Sequence, residues 1–197
     1  MRKNKKGDAM EVIKPGYTRV TDILRPWSKF DGIPQEILDR KCAIGTEVHH
    51  AIHMHNEGFV PDLSPEAQPY FDSYLEWESA SRVHCVVNEM RYYDDAKQIT
   101  GCIDALARFP NEEGLVMCDW KTTAYCTPDI GITWHLQGTF YHYLIEQNKV
   151  ENVSNRFLFV QLKKDGKLPK VKEFEYTTEM MYKCDCALVM HRLYNPL

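Results

Sequence analysis

Three short runs rich in Val, Ile, Leu and Tyr lie close together in the middle of the chain, and they constrain its fold more than any other feature. They cover residues 84–93, 99–109 and 114–122, with turn signals at Asp94-Asp95 and Pro110-Asn111 between them. Runs of this length read as strands, and connections this short join neighbours antiparallel. A three-stranded meander is therefore expected. On either side of it the apolar spacing changes to three and four residues, which is the period of a helix face. A short helix is predicted from Tyr17, capped by Thr18 or Thr21 and stopped by Pro26. A longer one runs from Glu36 to about Gly58. A third has Pro65 as its first residue and passes through Tyr70, Tyr74 and Trp77 to about Arg82. Beyond the meander come a helix over 134–148, a strand over 156–162, a hairpin turn at Lys163-Lys164-Asp165-Gly166 and a strand over 170–176. A final helix over 177–194 is capped by Thr177 or Thr178. This order predicts an α/β (α+β) fold, a mixed central sheet flanked by helices with a helical N-terminal region. The expected division is a flexible basic N-terminus over 1–15 and a single domain over 16–197, helical over 16–82 and catalytic over 83–197.

Composition narrows the class without naming a function. A hydrophobic share of 44% supplies a core. No stretch reaches the roughly 18 apolar residues of a membrane helix. The basic start, Met1-Arg2-Lys3-Asn4-Lys5-Lys6, runs into Asp8 and Glu11 rather than an apolar segment, so no targeting leader is expected. Seven cysteines, odd in number and scattered, suggest reduced thiols and a cytoplasmic setting. Cys184 and Cys186 have no second pair near them, so neither a zinc cage nor an iron–sulfur cluster is expected. The net charge of −4 does not advertise a nucleic-acid binder. Binding depends on where Lys and Arg sit, however, and not on their sum.

Chemistry enters with Gly101-Cys102-Ile103-Asp104 and Cys118-Asp119-Trp120-Lys121-Thr122. Residues two apart on a strand share a face, so Asp119 and Lys121 project together and Trp120 is buried opposite. A hairpin can bring Asp104 beside Asp119. Two carboxylates and an ammonium then share one patch of a strand whose neighbours, Leu115, Val116 and Met117, are apolar. Carboxylate oxygens suit Mg²⁺ or Mn²⁺, and a lysine can aim a water and stabilise charge at phosphorus. Either motif alone would pass for a surface ion cluster; both in adjacent strands, on an apolar background, call for a function.

These residues resemble the PD-(D/E)XK nuclease signature, and more narrowly the RecB-like exonuclease branch, which includes the mitochondrial genome-maintenance exonucleases. Three further segments extend the resemblance. Gly45-Thr46-Glu47-Val48-His49 is similar to a helical Gly-x-x-x-His motif whose histidine reaches the metal. His53, one turn on from His49, leaves a separate zinc site as an alternative. Glu89 is similar to the early acidic residue near metal and substrate. Gln137 and Tyr141, sixteen residues beyond Lys121, match a Gln-x-x-x-Tyr pair that engages the strand. The segment Val20-Thr21-Asp22-Ile23-Leu24 matches the opening region least specifically.

The resemblance implies catalytic Asp104, Asp119, Lys121 and Glu89. It also implies metal ligation by Asp104, Asp119, the Trp120 carbonyl and His49, and substrate contacts from Gln137, Tyr141 and Thr122. The cofactor it implies is one or two Mg²⁺ or Mn²⁺ ions. The expected activity is exonucleolytic hydrolysis of DNA, single-stranded or with free ends, in repair, recombination or replication. A replication or recombination protein would be a fitting partner, and a bacterial or phage-infected cell a fitting setting. Two readings compete: a structure-selective endonuclease on the same fold, and a module that binds nucleic acid or protein without cutting.

Overall fold

The computed structural model describes residues 13–28, 32–123 and 128–195. The expected basic stretch at the N-terminus lies outside them. The strands are β1 (Thr18–Arg19), β2 (His84–Asp94), β3 (Ile99–Arg108), β4 (Leu115–Lys121), β5 (Val153–Gln161) and β6 (Lys170–Glu175). The α-helices are α1 (Val20–Leu24), α2 (Gln35–Asn56), α3 (Gln68–Ser81), α4 (Pro128–Gln147) and α5 (Thr178–Tyr194).

The sheet is mixed, as expected. β2 runs antiparallel along the length of β3, β4 is antiparallel to β3, β5 is parallel to β4, and β6 closes the far edge antiparallel to β5. β1 pairs parallel with the start of β3, Thr18 with Ile99 and Arg19 with Thr100. Since β2 takes one whole edge of β3, β1 and β4 share the other.

Alternation along the strands sorts the core into two layers. Val116, Cys118, Trp120, Leu158 and Val160 pack against α2 and α3. Met117, Phe157 and Phe159 pack against α4, α5 and α1. In α2, Ile44, Val48, Ala51 and Ile52 form the buried stripe; in α3, Tyr70, Phe71, Tyr74 and Trp77 do. Thr177 caps α5, its hydroxyl accepting from the Met180 N–H at 3.1 Å, a contact worth about 1 kcal/mol.

Three helix starts differ from expectation, that of α4 by lying at Pro128 and not at Trp134. Thr18 is not a cap: it lies in β1, and Val20 opens α1 with no side-chain cap. Pro26 does not simply stop that helix but sits in a 3-10 turn, Arg25–Trp27. Pro65 does not begin α3. Ser64 accepts the N–H groups of Ala67 and Gln68 in a turn, and the proline inside the first helical turn is Pro69.

Candidate active site

The placement of Trp120 decides where the charges of β4 go. Its indole is 1% exposed, with the rings of Tyr74 and Trp77 edge-on at 5.2 and 5.4 Å. Burying an aromatic of this size is worth on the order of 4–6 kcal/mol in transfer free energy. That anchor sets the phase of the strand, so Asp119 and Lys121 fall on the α4 side.

β3 and β4 are joined by three register pairs, Ala105↔Cys118, Leu106↔Met117 and Ala107↔Val116. The next pair would be Asp104 with Asp119, but the strands part there. A side chain replaces the ladder bond: Asp104 Oδ2 accepts the backbone N–H of Trp120 at 2.7 Å. On the β2 side, Glu89 lies between the pairs Asn88↔Ala105 and Met90↔Ile103, with φ at 48°. A left-handed non-glycine residue inside a strand costs on the order of 1–2 kcal/mol. The facing of β3 slips at the same level: Ile103 and Leu106 share the α4 layer, while Ala105 and Ala107 belong to the other. A regular strand would put residues 103 and 106 on opposite faces.

From α2, His49 reaches this break. Its Nδ1 is 3.2 Å from Asp104 Oδ1 and 3.8 Å from Glu89 Oε1, and its Nε2 donates to the Trp120 carbonyl at 2.9 Å. The Gly-x-x-x-His spacing has a steric reason. A methyl at Gly45 would stand 3.3 Å from Thr122 Oγ1, so glycine lets the helix approach the end of β4, and His49 follows one turn later.

From α4, Gln137 donates to Asp119 Oδ2 at 3.0 Å and to the Tyr141 hydroxyl at 3.1 Å, and accepts from Lys121 Nζ at 3.2 Å. Gln137 and Tyr141 are both buried and brace the carboxylate and the lysine. Tyr141 fits because residue 101 is glycine: a Cβ there would come within 2.6 Å of its ring. Lys121 Nζ lies 2.5 Å from Asp119 Oδ1 and 5.0 Å from the Phe159 ring centroid. That ion pair is close but poorly directed, and Asp119 Oδ1 is a buried oxygen with no well-aligned hydrogen bond.

The electrostatics follow from this crowding. Burial opposes the charge on His49, yet Asp104, then Asp119 and Glu89, outweigh it and raise the imidazolium to about 9. Both its nitrogens face acceptors, which suits the doubly protonated ring. Burial and the neighbouring Asp104 raise Glu89 to about 7. Asp119 is raised to about 6, chiefly by burial, with Lys121 pulling against it. Burial also works against the Asp104 carboxylate, but His49 and Lys121 more than offset it and hold its pKa below the usual range. Adjacent carboxylates with divergent proton affinities are a common property of reactive sites.

His49, Glu89 and Asp104 form a group able to hold a metal ion, their ligand atoms all lying within 4.8 Å of one another. The oxygen and imidazole donors, with the Trp120 carbonyl beside them, suit Mg²⁺ or Mn²⁺. Asp119, whose Oδ1 has Lys121 as its only charged partner among the described residues, stands next to that group. The residues given catalytic, metal or substrate roles from the sequence thus lie at or beside the break in the sheet, including Thr122 just past the end of β4, whereas His53 of the alternative zinc site is not in the group able to hold a metal. Sequence reasoning missed Cys102, whose thiol donates to Glu89 Oε2 at 3.6 Å. It also missed the backbone turn at Glu89. Cys102 carried a signal, being two residues before Asp104; the Glu89 backbone carried none.

No known family profile and no curated protein sequence matches the chain. Solved structures do. A protein named "Putative exonuclease" from Eubacterium rectale superposes with a TM-score of 0.52 over 91% of this chain and 79% of its own, at 11% identity. SSO0001 reaches a TM-score of 0.49 over 93% of this chain and 80% of its own, at 12% identity, a likeness too low to carry an argument. What this chain shares with the Eubacterium rectale protein is the fold, a mixed central sheet flanked by helices.

Proposed function

We propose that the chain is a metal-dependent nuclease that hydrolyses phosphodiester bonds of DNA from strand ends. The observation that carries this reading is the convergence, where β3 and β4 part, of three carboxylates, an imidazole and a lysine held by side-chain hydrogen bonds. The fold shared with a protein named as an exonuclease supports the same class. Asp104, His49, the Trp120 carbonyl and Glu89 or Asp119 would hold one or two divalent ions. Such an ion supplies a water of lowered pKa and charge against the phosphate oxygens. Lys121, braced by Gln137, holds its ammonium beside Asp119, where it can orient the attacking water and neutralise charge developing at phosphorus. Where Asp119 and not Glu89 holds the ion, Glu89, its proton affinity raised by burial and by Asp104, would be free to exchange a proton.

The test is a time course on end-labelled linear single-stranded DNA, run beside closed single-stranded circles, with Mg²⁺, Mn²⁺ or EDTA. The expected result is metal-dependent shortening of the linear strand with the circle spared. Nicking of the circle would replace end-directed cutting with an endonuclease. Intact linear DNA and RNA under both metals would end the catalytic reading.

A further inference from the structure

The geometry points to a phosphate-binding subsite beside the proposed active site, in the cavity between the β1–α1 segment and the open edge of β3. This inference rests on the nuclease reading for its substrate, but not for the binding chemistry. The cavity has a volume of about 320 Å³ and is lined by Arg19, Thr21, Arg91, Thr100, Cys102 and Tyr141, with Val20 and Gly101 between them. That is the lower end of ligand-sized pockets. Among the described residues, two guanidinium-bearing and three hydroxyl-bearing residues line it, and no carboxylate does. In a chain of net charge −4, next to a cluster of three acids, that composition is the opposite of its surroundings. Guanidinium forks match phosphate oxygens.

Its position is as telling as its lining. β1 covers β3 as far as Thr100, and β4 takes over at Ala105. The cavity lies against the stretch between, so the same break in pairing that leaves Asp104 without a register partner on β4 also opens this site. Two lining residues connect to the acidic cluster: Cys102 donates to Glu89 directly, and Tyr141 reaches Asp119 through Gln137, from which it accepts. Cys102 and Asp104 are two residues apart on β3, about 7 Å along a strand. A nucleic-acid strand rises about 3.4 Å per nucleotide when stacked and more when extended, so an anion in the cavity would lie one or two nucleotides from the bond cut at Asp104. The subsite takes either the terminal phosphate of the strand or an internal phosphodiester.

Binding rather than cleavage tests this, with EDTA present so that failure of the nuclease reading cannot mask the result. A fluorescent single-stranded oligonucleotide is titrated against the intact chain, Arg19→Ala, Arg91→Ala and Arg91→Lys over a range of salt. Arg108→Ala is the control, six residues from Cys102 on β3 and roughly 20 Å away. Each alanine variant in the cavity should weaken binding about tenfold at low salt. Each should also flatten the dependence of log K on log salt by about 0.7, the share of one phosphate contact. Arg91→Lys should keep the slope and lose part of the affinity. Oligonucleotides with a phosphate or a hydroxyl at either end separate the sources: a terminal-phosphate site loses end preference in the variants, whereas an internal site shows none to lose. Arg19 is exposed, so its variant has no packing to disturb. If Arg19→Ala and Arg91→Lys match the intact chain and the Arg108→Ala control in both affinity and slope, the subsite does not exist.

Discussion

The two edges of β4 are treated in opposite ways. Toward β5 the pairing runs on through Asp119, Trp120 and Lys121 to the end of the strand. Toward β3 it ends at Cys118. One side of the strand is thus fixed by main-chain bonds while the other is left to side chains: Asp104 on the Trp120 N–H and His49 on the Trp120 carbonyl. A closed ladder would have satisfied those groups more simply. Withholding it leaves room between the strands and places polar donors and acceptors around that space. Rigidity comes from the β5 edge and from Trp120, and reactivity from the β3 edge.

The largest effect expected from breaking this arrangement falls on turnover. Lys121→Ala leaves the β5 pairing intact and removes the ammonium beside Asp119, and it should lower cleavage on the order of 10³-fold while also lowering the melting temperature, because Asp119 stays buried without its counter-ion. An equal loss of activity from Trp77→Phe, which touches only the buried side of Trp120, would show that the two edges are not separable in this way.

Metal should act on the open edge alone. At a hundred times its dissociation constant an ion that binds only the folded chain adds about 2.7 kcal/mol, or roughly 5–10 °C for a chain of this size. Mn²⁺ or Mg²⁺ should therefore raise the melting temperature, and EDTA should reverse it. The raised proton affinity of His49 means that a proton must leave as a metal takes its place, so affinity should climb from pH 6 toward pH 9. A shift that persists in Asp104→Asn would place the ion elsewhere.

Without metal the crowded carboxylates are a burden on the fold, and Asp119→Asn measures it. The Asp119 carboxyl holds its proton up to about pH 6 in the folded chain and to about 3.8 when unfolded. Its contribution to stability is therefore full below pH 3.8 and lost as pH rises through 6. Above that, the folded state carries a buried carboxylate whose one oxygen lacks a directed partner. The variant should be inactive yet more stable than the parent at pH 8, by about 1–3 kcal/mol, with the difference vanishing near pH 4. Thermal melts at the two pH values decide it; a less stable variant at pH 8 would mean that the Lys121 pair outweighs the burial.

How far this edge could be read in advance differs residue by residue. Asp119, Trp120 and Lys121 were legible because a period of two on an apolar strand leaves no other arrangement of faces, and β2, β3 and β4 begin and end within a residue or two of expectation. His49, Gln137 and Tyr141 were legible only through a motif, since periodicity says nothing about which helix face meets a strand end. β1 was invisible: two residues make no pattern, and pairing with Ile99 and Thr100 outweighed the capping preference of Thr18. The start of α4 at Pro128 lies six residues ahead of the apolar spacing that announced it. The parting of β3 from β4 was not legible either, because the residues that flank it, Ile103, Ala105, Cys118 and Trp120, are those of an ordinary paired strand. Glycines 45 and 101 point to it only once their neighbours, Thr122 and Tyr141, are known.

The finest test concerns the backbone at Glu89, where the left-handed φ coincides with the slip in β3. If the acid is held there for its position at His49, its backbone strain is an expense of function that glycine would relieve. Glu89→Ala and Glu89→Gly remove the same carboxylate and its cost of burial, so their difference isolates the backbone. Glycine should be the more stable of the two by about 1 kcal/mol, or roughly 2–4 °C in melting temperature, with both variants equally weakened in metal binding. In a regular strand the order would reverse, because glycine is the poorer strand residue. An alanine variant more stable than the glycine one would therefore mean that the left-handed turn disappears with the carboxylate. The break in the sheet would then be an effect of the acid cluster and not its cause.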